Sequence, residues 1–279
     1  MSGGRETEGT VTGLYYYPVK SLAGIRLEQA ELAGRGIRHD RMWMLVSDSG
    51  KFITQRQEHS LALLRVTAED NGFRISAPSG AETRLPRACP PGPTKSVRVW
   101  KDELTAIVGP PDATSFFSEY LGFPCLAVRM PEKADRTAGK HAPDGTPVSF
   151  ADAYPGLLTT TDSLADLNAR TNVDLVMRRF RPNIVVSGSS AYTEDGWSRI
   201  QLGDAEITCV KPCARCVLTT VDPDSGAAGK EPLRTLAGYR RLGNDVYFGQ
   251  NFVVSRAGAV SLGDPIAITE RKEPVFPAG

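Results

Sequence analysis

The sequence predicts a mainly β, α+β fold: two β-barrel-like domains decorated with peripheral helices. Short β-branched and aromatic runs recur along the chain, separated by turn residues that include 27 glycines and 20 prolines. Regular alternation of helix with strand is absent, and so is any G-x-G-x-x-G or phosphate-loop pattern, which sets aside a dinucleotide fold. A length of 279 residues is enough for two closely packed domains rather than one.

The elements follow in order. Residues 11–17, VTGLYYY, form a strand that Pro18 ends. Residues 42–47 and 51–55 flank Asp48-Ser49-Gly50 as a hairpin; a second hairpin turns at Pro78-Ser79-Gly80, and another strand covers 96–100. Ala113, Phe116, Phe117, Tyr120 and Leu121 share one face of a helix over 112–121, with Gly122 as its cap. Residues 131–148 are polar and rich in proline and glycine, a loop or domain junction. A short helix follows Thr161, with Leu164 and Leu167 on one face. Strands return at 183–187, at 198–210 with a turn about Gly203-Asp204, at 245–254 and at 259–268. A helix near 231–241 takes Pro232 in its first turn. No internal repeat and no low-complexity tract interrupts this order.

Thirty-three basic against 32 acidic residues leave a net charge of +1, too balanced for a general nucleic-acid binder. The first ten residues are polar and of mixed charge, so no secretory segment begins there, and no apolar run is long enough to span a membrane. The cytoplasm is the expected compartment, with no nucleic acid and no membrane as partner.

Five cysteines, three of them within residues 209–216, do not suit a secreted disulfide framework; they suit metal or redox chemistry. Cys89 and Cys125 are isolated and read as structural. The segment CVKPCARC has C-x3-C-x2-C spacing, which three irons of a [4Fe–4S] cluster use, but period-two alternation places Cys209 in the strand EITCV. Cys213 and Cys216 read alternatively as a redox pair or half a zinc site. The β-branched CVLTTV that follows reads as a strand, where a thioredoxin-like pair wants a helix. A third reading makes Cys216 a lone thiolate ligand, stabilised by Arg215 beside it, and a fourth a small buried hydrophobe.

KPCARCVLTTVDPDSG at 211–226 resembles the signature of the MOSC domain, named after the C-terminal domain of molybdenum-cofactor sulfurase. FADAYPGLL at 150–158, SLADLN at 163–168, FRPNIVVSG at 180–188, FGQNF at 248–252 and LGDPI at 262–266 complete that pattern in order. YPVKSLAGI at 17–25, RHDRMWMLV at 38–46 and FITQRQ at 52–57 are similar to the β-barrel domain that precedes MOSC. The resemblance implies an N-terminal barrel domain over 8–128, a MOSC domain over 129–272 and a cofactor between them, and it covers about residues 10–269. Among MOSC proteins the pattern is nearest to amidoxime-reducing components and reductases of N-hydroxylated bases.

That resemblance implies a molybdenum-cofactor (Mo-molybdopterin) oxidoreductase that reduces amidoximes, hydroxylamines or N-hydroxylated bases by removing oxygen at molybdenum. Cys216 is then the metal ligand and a catalytic residue. Cofactor contacts fall on Lys20, Ser21, Arg41, Asp152, Ala153, Tyr154, Arg181, Asn183, Ala214, Arg215, Gln250 and Asn251. Physical chemistry agrees: fixed Lys and Arg groups from both domains suit a phosphate, and the amides of Asn183 and Gln250 match a pterin edge. The alternatives make Lys20 and Arg41 solvated charges and Arg181 the partner of an acidic neighbour such as Asp195. Asp222 is a candidate active-site carboxylate, though Asp-Pro-Asp-Ser-Gly also makes a good turn. With no ferredoxin domain and no membrane anchor in the sequence, electrons are expected in trans from a ferredoxin, flavodoxin or cytochrome b5-like protein with its reductase. A cofactor carrier or sulfur-transfer protein, and a tailoring enzyme acting on one N-oxygenated metabolite, are the alternatives.

Overall fold

The computed structural model describes residues 6–88 and 92–276; Cys89 lies outside them. Seven strands close a barrel. Around it in hydrogen-bonding order run Gly156–Thr160, Ile184–Ser187, Glu6–Tyr16, Pro265–Arg271, Trp197–Leu202, Ala205–Arg215 and Asp245–Arg256. The last returns to the first through the Gly156↔Phe252 to Leu158↔Gln250 register. Closure is tight there, because a Cβ on Gly156 would sit 2.1 Å from the Phe252 ring. The first two strands are parallel, joined by a crossover that includes the Thr161–Arg170 helix, and the other pairings are antiparallel. That helix starts where Thr160 Oγ1 accepts the Ser163 amide at 3.1 Å.

A five-stranded half-barrel lies beside it, ordered Thr94–Val99, Asp102–Val108, Cys125–Arg129, Trp43–Ser47 and Phe52–Ile53. Its strand Trp43–Ser47 is apolar from Trp43 to Val46 because both faces are buried there. Trp43 and Leu45 join the core that runs into the barrel, and Met44 and Val46 join a second cluster with Met130 and Phe150. The halves of the sequence share backbone hydrogen bonds. The N-terminal strand Glu6–Tyr16 is a stave of the barrel, and Gln29–Ala33 pairs with Gly258–Ser261.

Both expected hairpins form, as does the amphipathic helix, Pro111–Leu121, capped by Gly122 at φ 76°. Three expectations need correction. CVLTTV is no strand: Val217–Thr220 is a 3-10 turn, because the Thr219 and Thr220 hydroxyls donate to the carbonyls of Cys216 and Val217 at 2.9 and 2.8 Å. The helix expected over 231–241 is only Leu233–Leu236, cut short before Gly238. The strand expected over 259–268 is two, Gly258–Ser261 and Pro265–Arg271, separated at Gly263, whose φ is 87°.

Candidate active site

A cavity of about 350 Å³ opens where the end of the barrel meets the half-barrel. Loops and strands of both units build it. The loop after Glu6–Tyr16 brings Lys20 and Ser21; the loop before the half-barrel strand Trp43–Ser47 brings Arg41; residues 151–154 bring Asp152, Ala153 and Tyr154. The strand Ala205–Arg215 supplies Lys211, Cys213, Ala214 and Arg215, with Cys216 just beyond it. Regular alternation would not turn all of these toward one space. The register with its partner Asp245–Arg256 slips between Cys209 and Lys211 and again between Pro212 and Ala214, and such bulges re-aim side chains.

Six cationic side chains line the cavity: Lys20, Arg41, Arg56, Arg181, Lys211 and Arg215. Among the described residues Asp152 is the only carboxylate in the lining, while Asp40 pairs with Arg41 from behind the wall at 2.5 Å. Lys20 Nζ donates to Asp152 Oδ1 at 2.5 Å and to the Phe150 carbonyl at 2.7 Å. Arg56 donates to Asp152 Oδ2 at 2.5 Å and, through Nε, to the Cys216 sulfur at 3.3 Å. Burial pulls Lys20 down to about 8 against the opposing charge of Asp152. Burial works to raise Asp152, yet the charges of Lys20 and Arg56 outweigh it and hold the carboxyl well below the usual range. Arg181 is pulled down to about 10 by burial first and the nearby charge of Arg41 second. Its Nη2 and the Nε of Arg215 are buried without a hydrogen-bond partner. Arg41 and Arg181 both lie over the Tyr17 ring, at 4.3 and 4.2 Å from its centroid.

Backbone strain collects here too. Ser21, Arg41, Trp100 and Arg181 line the cavity with φ of 72°, 49°, 57° and 54°, four of the six non-glycine residues with positive φ among the described residues.

Twelve of the residues expected at a site share this cavity: Lys20, Ser21, Arg41, Asp152, Ala153, Tyr154, Arg181, Asn183, Ala214, Arg215, Cys216 and Asn251. Gln250 does not. It is fully buried, donating to Asp195 at 2.7 Å and accepting from Lys272 at 3.1 Å, because neighbours in a strand face opposite ways and Asn251 takes the cavity side. Asp222 is also absent from the cavity. Its Oδ1 accepts the amides of Asp224 and Ser225 at 3.0 and 2.9 Å, and Oδ2 binds Arg179 at 2.6 Å, so the carboxylate closes a turn. Asn183 lines the wall but offers no free edge. Its amide is saturated by Arg41, Leu157, Tyr15 and Asp40, and it holds Arg41 in place. Arg215 reaches Cys213 at 2.9 Å and the Phe180 carbonyl, not Cys216; the guanidinium at Cys216 is Arg56. The partner of Asp195 is Arg240, at 2.5 Å, not Arg181.

Cys209 points into the barrel core, away from Cys213 and Cys216, and no three metal-binding His, Cys, Asp or Glu side chains gather among the described residues. The three-cysteine cluster and the zinc half-site therefore find no geometry. The sequence reading missed Arg56, Trp100 and Arg136. Arg136 fixes the Asp152 loop by donating to the carbonyls of Ala151 and Asp152 at 2.6 and 3.1 Å and to Asp102 at 2.9 Å. Arg56 sits in the motif FITQRQ, which was the available signal; Trp100 and Arg136 left none.

A soft sulfur faces a cavity lined by six cations and one carboxylate, with two buried guanidinium nitrogens lacking partners. These residues fit a metal-bearing anionic cofactor with a phosphate. The MOSC N-terminal beta barrel domain matches residues 8–124, and the MOSC domain matches residues 145–267. The chain is 35% identical to mitochondrial amidoxime-reducing component 1 of Mus musculus and 35% to that of Homo sapiens, in each case over 92% of this chain and 82% of the relative. It is 34% identical to mitochondrial amidoxime reducing component 2 of Rattus norvegicus, over the same shares. No helix among the described residues is long and apolar enough to cross a membrane.

Proposed function

Because the chain belongs to the family of MOSC-domain proteins that includes the mitochondrial amidoxime-reducing components, we propose that it is a molybdenum-cofactor-dependent reductase of N-hydroxylated compounds. The observation that carries this reading is the Cys216 thiol set in the cationic cavity, with Arg56 bonded to its sulfur at 3.3 Å. When bound, the cofactor would supply two-electron chemistry at molybdenum able to remove oxygen from an N–O bond.

The protein's own residues do the rest. Cys216 would ligate the metal, soft sulfur suiting a centre already held by sulfur. Arg56 donates to that sulfur and orients it, and Asp152 in turn fixes Arg56 and Lys20. Arg41, Arg181 and Lys20 would hold the phosphate, with Arg181 bringing the unpartnered Nη2. Asn183 keeps Arg41 aimed, Asn251 and the Asp152–Tyr154 loop close the wall, and strained backbone at Ser21, Arg41 and Arg181 fixes the loops before ligand arrives. Electrons would come in trans from a ferredoxin, flavodoxin or cytochrome b5-like protein with its reductase.

The test is molybdenum analysis of protein made under cofactor-replete conditions, then benzamidoxime turnover with a chemical electron donor. Molybdenum near one per chain and formation of benzamidine are expected, and Cys216→Ser abolishes turnover while Cys125→Ser, buried in the half-barrel, retains it. Bound cofactor without turnover would favour a carrier. No molybdenum at all would defeat both readings.

A further inference from the structure

A second cavity of about 350 Å³ adjoins the first, and nothing in the proposed reaction uses it. Five arginines line it: Arg26, Arg65, Arg178, Arg179 and Arg181. No carboxylate does, among the described residues; Asp222 and Asp224 pair with Arg179, Arg178 and Arg65 from outside the lining. Apolar surface from Ala62, Leu218, Val221 and Pro223 and the ring of Tyr15 complete the walls. Two lining side chains that the first cavity does not engage keep buried polar atoms without partners: the amide oxygen of Gln55 and Nε of Arg179. Gln55 and Arg179 are only 4% and 8% exposed, so water reaches them poorly and each orphan is costly.

We propose that this second cavity binds a small aryl anion: a flat ring bearing a carboxylate for the arginines and an N–H or O–H donor for Gln55. The volume matches a compact ligand at the lower end of small-molecule sites. A flat ring suits the apolar walls, and guanidinium planes accept stacking as well as a bidentate carboxylate. A simple inorganic anion would satisfy the arginines but leave both the Gln55 oxygen and the apolar surface unused. Arg181 and Leu218 belong to both cavities, and Leu218 lies two residues beyond Cys216. An occupant therefore presses on the wall of the cationic cavity.

Calorimetric titration of the full chain, as purified, with 4-aminobenzoate tests this. Saturable one-to-one binding with a sub-millimolar Kd is expected, with benzamide, which lacks the charge, roughly tenfold weaker. Gln55→Leu, which removes the orphaned oxygen, and Arg178→Gln, at a half-exposed rim position, should each weaken 4-aminobenzoate by roughly tenfold. Arg178→Gln keeps the test decisive if Gln55→Leu fails to fold. No binding at about 5 mM ligand would overturn the proposal, as would equal affinity for benzamide. Unchanged affinity in folded variants, or complete displacement by equimolar inorganic phosphate, would overturn it as well.

Discussion

Glu194→Gln should make the protein more stable at pH 8 and leave it almost unchanged near pH 4.5. Glu194 is fully buried, accepting from Ser163 Oγ at 2.8 Å and from Thr160 Oγ1 at 3.3 Å. Burial first, and the neighbouring charge of Asp195 second, push its pKa up to about 7 against the opposing bond from Ser163. In the unfolded chain the same carboxyl titrates near the ordinary glutamate value of 4.5. A raised folded pKa means stability fully present below about 4.5 and lost as pH rises through about 7. A gap of about 2.5 units at about 1.36 kcal/mol each amounts to roughly 3 kcal/mol. Glutamine keeps the shape of the protonated acid and cannot ionise, so that loss disappears. His39 runs the other way, since burial and then Arg87 lower its pKa and its contribution fades as pH falls. The difference between variant and parent cancels it. Urea denaturation of both proteins from pH 4.5 to 8 reads that difference, which should climb from near zero to roughly 3 kcal/mol. A flat difference across the range would refute the reasoning.

Three further outcomes follow from the site and its supports. Arg56→Gln removes the N–H donor to Cys216 and the ion pair with Asp152, and should lower benzamidoxime turnover or molybdenum retention about ten- to hundredfold; both unchanged would show that Arg56 is incidental. Arg181→Gln deletes a buried cation with an unpartnered nitrogen, and loss of one charged hydrogen bond worth about 1.5–3 kcal/mol should speed cofactor release on dialysis at least tenfold. Thr160→Ala loses the cap on the Ser163 amide and should cost about 1 kcal/mol in denaturant unfolding, with no change in cofactor content. A cost below about 0.3 kcal/mol would mean the cap is not stabilising the helix.

Local chemistry made much of this legible. Tyr15 to Tyr17 before Pro18, the turns at Gly50 and Gly80, and the apolar stripe from Ala113 to Leu121 each carry their structure in neighbouring residues. The cavity residues were readable only through the motifs that resemble the family's, as Lys20 in YPVKSLAGI and Arg181 in FRPNIVVSG show. What stayed hidden depends on distance or parity. Trp100 and Arg56 reach the cavity only because the half-barrel folds against the barrel, 52 and 96 residues from their partner Asp152. Gln250 and Asn251 are both amides in one strand, and Gly249 ahead of them, with φ of 76°, disturbs the alternation that would have told them apart. Val217 to Val221 look like strand because threonine and valine favour strands, yet two threonine hydroxyls bond back to the chain and close a turn.

Several departures from comfortable chemistry collect at one place. Four non-glycine residues in the left-handed region, a slipped strand register, a buried lysine and arginine, and two unpartnered guanidinium nitrogens, on Arg181 and Arg215, meet around the cavity that holds Cys216. Each is unfavourable alone, and together they form a region that folding by itself would not select. The surrounding structure can impose them because the cavity lies between two β-units whose cores are continuous through Trp43 and Leu45. An anion set among these six cations would relieve the repulsion between Arg41 and Arg181 and complete the hydrogen bonding of the latter. The site is thus shaped for its ligand before the ligand is present, and the rigidity of the two units is what keeps Cys216 and Arg56, 160 residues apart in sequence, within hydrogen-bond reach.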